Sequence, residues 1–146
     1  MNVKKILLAT DFSDTSRKAE TVAQNLRDDL GAELLVAHVF DPSTFEMPAP
    51  YFFMPGADTW LQERLGDLIT RGKTHLTEHA AGLAPCTTVF LEGKPGPTLK
   101  TYADTHDVDL IIMGTHGHGG FARMMMGSVA EYVMHHTDVP VLTVKP

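Results

Sequence analysis

At 146 residues, with 43% hydrophobic and 21% charged side chains, the chain is sized for one domain and can bury a hydrophobic core without disulfides or a structural metal. No apolar run approaches the length of a membrane span, and a net charge of -6 argues against a general nucleic-acid or anionic-membrane binder, because those partners need a clustered positive field. The single Cys86 cannot form an internal disulfide; it fits a reducing, cytoplasmic compartment and reads as a small apolar core residue.

The apolar pattern alternates between short runs suited to buried strands and longer stretches at helical spacing, as expected of alternating β and α elements. Val3–Ala9 follows the N-terminal residues as a first strand rather than a signal peptide, since Asp11 interrupts the run and no small-residue cleavage site follows. Ala19, Val22, Ala23, Leu26 and Leu30 then share one helical stripe, with Ser13 or Asp14 as N-cap and Gly31 as the stop. A second strand is expected over Glu33–Phe40. From Asp41 to Asp58 the chain carries four prolines with Tyr51, Phe52, Phe53 and Met54, too proline-rich for a regular element. That stretch reads as a long loop with an aromatic tip, either a lid or contact surface or a loop whose aromatics fold back onto the domain. Leu61, Leu65, Leu68, Ile69, Leu76 and Ala80 mark a second helix ending near Gly82. A third strand over Thr87–Leu91, a third helix over Pro97–His106 with proline in its first turn, and a fourth strand over Val108–Met113 follow. Ser128 opens the fourth helix and Val139–Val144 forms the last strand. Strands this rich in Val, Ile and Leu suit a parallel sheet buried on both faces. Right-handed crossovers then make the expected fold one α/β domain over residues 1–146, a doubly wound, open five-stranded parallel sheet with helices on both faces. Ligands of such folds bind beyond the carboxyl ends of the strands.

The most informative segment leaves the fourth strand at Met113 and runs to the fourth helix, with glycines at 114, 117, 119, 120 and 127. Glycines let the backbone approach a ligand and turn its amides inward, while a helix start near Ser128 offers unpaired N–H groups and a positive dipole end. Gly114 and Gly117 also suit a strand exit, and Ser128 with Glu131 also suits a capping box. A cap accounts for Ser128 and Glu131 alone, not for the accumulation of glycines, so the loop is read as an anion cradle.

Gly114, two residues, Gly117, nine residues, then Gly127 and Ser128 match without a gap the G-x2-G-x9-G-[ST] pattern of ATP-binding universal stress proteins. The N-terminal ILLATDFSDTS is similar to that family's first strand and turn, and VPVLTVK to its last strand, so the resemblance spans the chain. It implies a Rossmann-like domain of the adenine nucleotide alpha-hydrolase-like kind that usually dimerises and serves a stress response. Carried onto matching positions, it implies Thr10 and Asp11 at the first strand's end, with Asp11 a hydrogen-bond acceptor, and Val39 on adenine through its backbone. Met113, Gly114, His116 and Gly117 would line the ribose and phosphate side, with Gly127, Ser128 and Val129 donating to phosphates. Asp11 by itself reads equally as a turn former. Arg123, the loop's cation, is placed to meet a terminal phosphate or to stand solvated, and Met124, Met125 and Met126 read as packing.

Other motifs fail on context. Gly72-Lys73-Thr74 imitates the end of a P-loop, but the required glycine is Asp67. Gly117 to Ala122 satisfies a dinucleotide fingerprint but follows the fourth strand, and Asp138 precedes a strand instead of ending one, which leaves NAD a weak alternative. His75 and His79 share a helical face and His116 and His118 a loop, without the further ligands a zinc site needs. A magnesium or manganese ion carried by the phosphates of ATP, ADP or AMP is the expected cation.

No nucleophile with its base and no diagnostic carboxylate pair occurs, so binding outranks turnover. The leading reading is a nucleotide-dependent regulatory module. Its alternatives are a slow ATP hydrolase or phosphotransferase using His116, His118 or Arg123, and a dimeric scaffold that binds no nucleotide. Pro140 suits an edge strand, and Val139, Val141 and Val144 on an open edge predict a two-fold homodimer through the C-terminal strand, as the resemblance also implies.

Overall fold

The structure, a computed structural model, describes residues 2–45, 47–116 and 126–146. Strands β1 (Lys5–Ala9), β2 (Glu33–Phe40), β3 (Thr87–Glu92), β4 (Leu110–Gly114) and β5 (Val141–Val144) form one sheet in the order β3-β2-β1-β4-β5, every pairing parallel. Helices α1 (Asp14–Leu30), α2 (Ala57–Ala81), α3 (Pro95–Thr105) and α4 (Ser128–His136) connect them.

The period of two along each strand divides the core into halves. Ile6, Leu8, Leu34, Val36 and Ile112 point to one face and pack with Ala19 and Ala23 of α1 and Leu76 and Ala80 of α2. Leu7, Ala9, Leu35, Ala37, Ile111 and Met113 point to the other and meet Leu99 and Ala103 of α3 and Ala130 and Val133 of α4. The central strands have no polar face because both faces are covered, and the expected doubly wound α/β fold is the result.

Local chemistry sets the ends of α1. Ser13 is its N-cap, with Oγ accepting from Ser16 N at 3.3 Å, and Gly31 closes it at φ 63°, a left-handed conformation that glycine adopts without a Cβ penalty. Several boundaries move, with β1 starting at Lys5, β4 spanning Leu110–Gly114 and β5 starting at Val141. α3 begins at Pro95 rather than Pro97, and α2 already starts at Ala57. Within the stretch read as an irregular loop, prolines open two short 3-10 turns, Pro42–Thr44 and Ala49–Phe53, where a missing N–H is harmless in a first turn. Tyr51, Phe52, Phe53 and Met54 there are all exposed. Cys86 is half-buried against the core, its thiol donating to Ala80 O at 3.4 Å. Pro140 directly precedes β5, which lies at the sheet edge. Among the described residues no helix is long and apolar enough to cross a membrane.

Candidate functional site

In the order β3-β2-β1-β4-β5, the chain leaves β1 toward α1 on one face and β4 toward α4 on the other. The crevice between those two strand ends is the topological switch point, where open α/β sheets take their ligands. A cavity of about 490 Å³ opens there, within the ordinary size of a small-ligand site. Thr10, Asp11, Val39, Met113, Gly114, His116, Gly127, Ser128 and Val129 all line it. Gly117 and Arg123, with His118, Met124 and Met125, lie outside the described residues.

At the β1 end, Thr10 is buried and engaged on every side. Its N–H donates to Ala37 O at 2.9 Å, its Oγ1 donates to Glu20 Oε1 at 3.1 Å and accepts from Phe12 N, and its carbonyl meets His38 Nδ1 at 2.9 Å. Glu20, itself buried on α1, reaches His79 Nε2 on α2 at 2.7 Å. Asp11 Oδ1 accepts from Ser13 N at 3.0 Å and from Ser16 Oγ at 2.6 Å. Its turn-forming role is therefore realised while the residue also borders the cavity. Burial holds the His38 imidazole below its ordinary pKa, opposed by the Thr10 carbonyl and Asp11 and assisted by His75, so the ring is neutral at physiological pH.

At the β4 end, the first glycine of the motif answers to packing. A Cβ on Gly114 would lie 2.8 Å from Thr15 Cγ2 and 3.2 Å from the Thr15 backbone carbonyl carbon, so this glycine admits the first turn of α1. Thr115 N donates to Val144 O, and Gly127 N donates to Thr115 O, which pins the two ends of the intervening loop together. That contact corrects one expectation: Gly127 N–H is engaged within the protein, so donors toward a ligand begin at Ser128. The capping box expected of Ser128 and Glu131 is likewise not formed. Gly127 itself is the N-cap, at φ -65° and ψ 148°, with no side chain to bond the helix, and Glu131 N simply donates to Gly127 O. Having the cap one residue earlier puts Glu131 beyond the position from which a capping box closes. Among the described residues, the first turn of α4 thus faces the cavity without a capping side chain, its N–H groups and positive dipole end available. His116 bonds Thr115 Oγ1 through Nδ1 at 2.7 Å, while its Nε2 is buried without a hydrogen-bond partner among the described residues.

Pro95 and Leu99 of α3 and Ala130 of α4 supply an apolar wall that no motif announces. Thr115 and His38 adjoin recognised positions and were visible only as neighbours in sequence, while Ser16 ends the ILLATDFSDTS segment without having been singled out. No lysine or arginine occurs among the described lining residues, so an anion there is met by backbone N–H groups. His75 and His79 pack edge-on against Phe12, with ring centroids 4.3 and 5.0 Å away. Among the described residues no group of three or more His, Cys, Asp or Glu is placed to hold a metal ion.

Comparison with known proteins agrees with this architecture. The model of the universal stress protein family matches residues 2–145. Universal stress protein MJ0531 of Methanocaldococcus jannaschii is 33% identical over 97% of this chain and 82% of its own length. The solved structure of universal stress protein UspA from Lactobacillus plantarum superposes with a TM-score of 0.81 at 27% identity, covering 99% of each chain. A universal stress protein solved in complex with cAMP shares the fold, with a TM-score of 0.61 at 24% identity over 99% of this chain and 98% of that one. Motif, sheet order and these likenesses along the full length agree, and the chain belongs to the universal stress protein family.

Proposed function

We propose that this protein is a nucleotide-dependent regulatory module of the stress response, a single cytoplasmic domain that binds ATP, or ADP or AMP, in the crevice between β1 and β4. The observation that carries the reading is the uncapped first turn of α4 opening into a switch-point cavity of about 490 Å³. Phosphates are taken by the N–H groups of Ser128 and Val129; the phosphate contacts expected of Gly117 and Arg123 fall outside the described residues. The ribose lies by Met113, Gly114 and His116, and the base lies between Val39, Asp11 and the apolar wall of Pro95 and Leu99. Magnesium or manganese enters with the phosphates, held mainly by them and by water. The cAMP-bound family structure supports an adenine nucleotide as the ligand class.

Calorimetric titration of the nucleotide-stripped protein with ATP and magnesium tests this, beside a Gly127→Val variant. The backbone at Gly127, at φ -65° and ψ 148°, is one that valine adopts without strain, and circular dichroism checks that the variant is folded. Saturable binding by the wild type alone is expected; absence of binding by both folded proteins refutes the reading. Slow ATP hydrolysis is a second reading, favoured by the buried, unpartnered Nε2 of His116. It requires phosphate release that scales with protein and disappears in His116→Ala.

The free edge of β5, where Leu142 is exposed and Val141 and Val144 are half-buried, is the proposed seat of a two-fold homodimer. Sedimentation at micromolar concentration should give a dimer, and Val141→Pro, which removes an edge N–H and stiffens the strand, should shift it toward monomer.

A further inference from the structure

The β1–β2 ladder ends earlier than its geometry requires. Its register runs from Lys5 opposite Glu33 to Ala9 opposite Ala37, and its last bond is Thr10 N–H to Ala37 O at 2.9 Å. In a parallel ladder the next bond of the same series would run from Val39 N–H to the Thr10 carbonyl. That carbonyl is occupied instead by the imidazole of His38, whose Nδ1 lies 2.9 Å away. A carbonyl only accepts, so Nδ1 carries the proton. We propose that His38 is a positioning residue of the nucleotide site: by donating Nδ1–H to Thr10 O it stops the ladder one rung short and leaves Val39 N–H directed into the cavity.

The surroundings keep both partners in place. β2 does not fray where β1 leaves it, because β3 continues the pairing through Val39 with Leu91 and Phe40 with Glu92, and Gly93 N bonds Phe40 O. Backbone groups along a strand alternate between its two flanks. Phe40 faces β3, so Val39 faces the β1 flank, as Ala37 does, and Val39 lines the cavity. The His38 ring is packed 4.6 Å from Phe12 and 6.0 Å from Phe90, centroid to centroid. Thr10 is anchored from its other side by Glu20.

Beyond β1, Val39 offers a donor and an acceptor side by side, N–H and C=O. This is the backbone contact with adenine that the family resemblance implies, and it complements a ring-nitrogen acceptor next to an exocyclic amine, as N1 and the 6-amino group of adenine; guanine presents a ring N–H next to a carbonyl there, the reverse polarity. The role of His38 rests on the nucleotide reading above and adds to it the side chain that keeps the Val39 N–H turned toward the base.

The test uses ATP and 1-deaza-ATP, which lacks the N1 acceptor beside the 6-amino group, with wild type, His38→Phe and His38→Asn, and follows Val39 amide hydrogen exchange in the free proteins by NMR. Wild type should bind 1-deaza-ATP about five- to tenfold more weakly than ATP, the worth of one hydrogen bond. His38→Phe keeps an aromatic ring but no donor. Thr10 O then accepts from Val39 N–H, exchange at Val39 slows, ATP affinity falls to the 1-deaza value and the discrimination disappears. His38→Asn returns an N–H donor near the Nδ1 position and should restore fast exchange and most of the discrimination, a rescue that a packing role would not produce. Undiminished discrimination in folded His38→Phe overturns the proposal, as does a Val39 amide in free wild type as protected as that of Ala37. Failure of wild type to bind ATP overturns the nucleotide reading and the base preference with it, whereas the exchange comparison judges the positioning role of His38 separately.

Discussion

At the β1 end of the cavity, Thr10, Asp11 and Ser16 each have hydrogen-bond partners within the protein, and the network runs back through Glu20 to His79 on α2. At the β4 end, among the described residues, the helix start has no capping side chain and His116 Nε2 has no partner. Both ends border one cavity and both follow a central strand, yet one completes its own hydrogen bonds and the other leaves them for something else. Buried polar groups without partners cost stability, so an unfinished end beside a finished one marks where a ligand completes the structure.

Substitutions at the finished end should act on stability. Glu20→Ala orphans Thr10 Oγ1 and His79 in a buried setting and should cost about 3 kcal/mol in denaturant unfolding, the largest effect expected here. A loss below ~1 kcal/mol would mean that water enters and replaces the carboxylate. Gly114→Val drives a side chain into Thr15 and should cost about 2 kcal/mol whether or not nucleotide is present, although Gly114 belongs to the binding motif. Were its melting temperature unchanged, Gly114 would belong with the ligand-facing glycines instead.

At the open end the sign should reverse. Gly127→Asp supplies the missing N-cap and a negative charge, stabilising the free protein by ~0.3 kcal/mol while weakening ATP binding at least about tenfold by occupying and repelling at the proposed phosphate site. Paired thermal melts and titrations check both halves, and a variant that binds ATP normally would dissociate the α4 terminus from phosphate.

The smallest effect concerns pH. Burial keeps the folded-state pKa of His38 below its ordinary 6.5, so between those two values the unfolded chain binds more protons than the folded one. This contribution to stability is complete above pH about 6.5 and is lost as pH falls through the folded value. Unfolding midpoints from pH 7.5 down to 5 should therefore decline more gently in His38→Phe than in wild type. Equal slopes would indicate that the ring is solvated. The depressed carboxyls of Asp41, Asp104 and Asp109, held by Ser43, by Lys100 with Thr137, and by the Lys4 and Lys5 amides, act only at lower pH and should leave this window undisturbed.

Much of this protein was legible from the chain alone because the signals are local. Ser13 and Gly31 bracket α1 through contacts within a turn or two, the Val, Ile and Leu runs declare strands covered on both faces, and the glycine spacing from 114 to 128 names the family and one wall of the cavity. What tertiary structure decided lies between residues far apart in sequence. Sheet order brings Thr15 against Gly114, and α3 carries Pro95 and Leu99 over the crevice. The fold also puts Gly127, not Ser128, at the helix cap. Thr10 borders the cavity, and only the packed structure brings its side chain to Glu20 and its carbonyl to His38. Propensity and spacing report on neighbours along the chain; which polar group is already satisfied depends on partners that only the packed sheet and helices bring within hydrogen-bond reach.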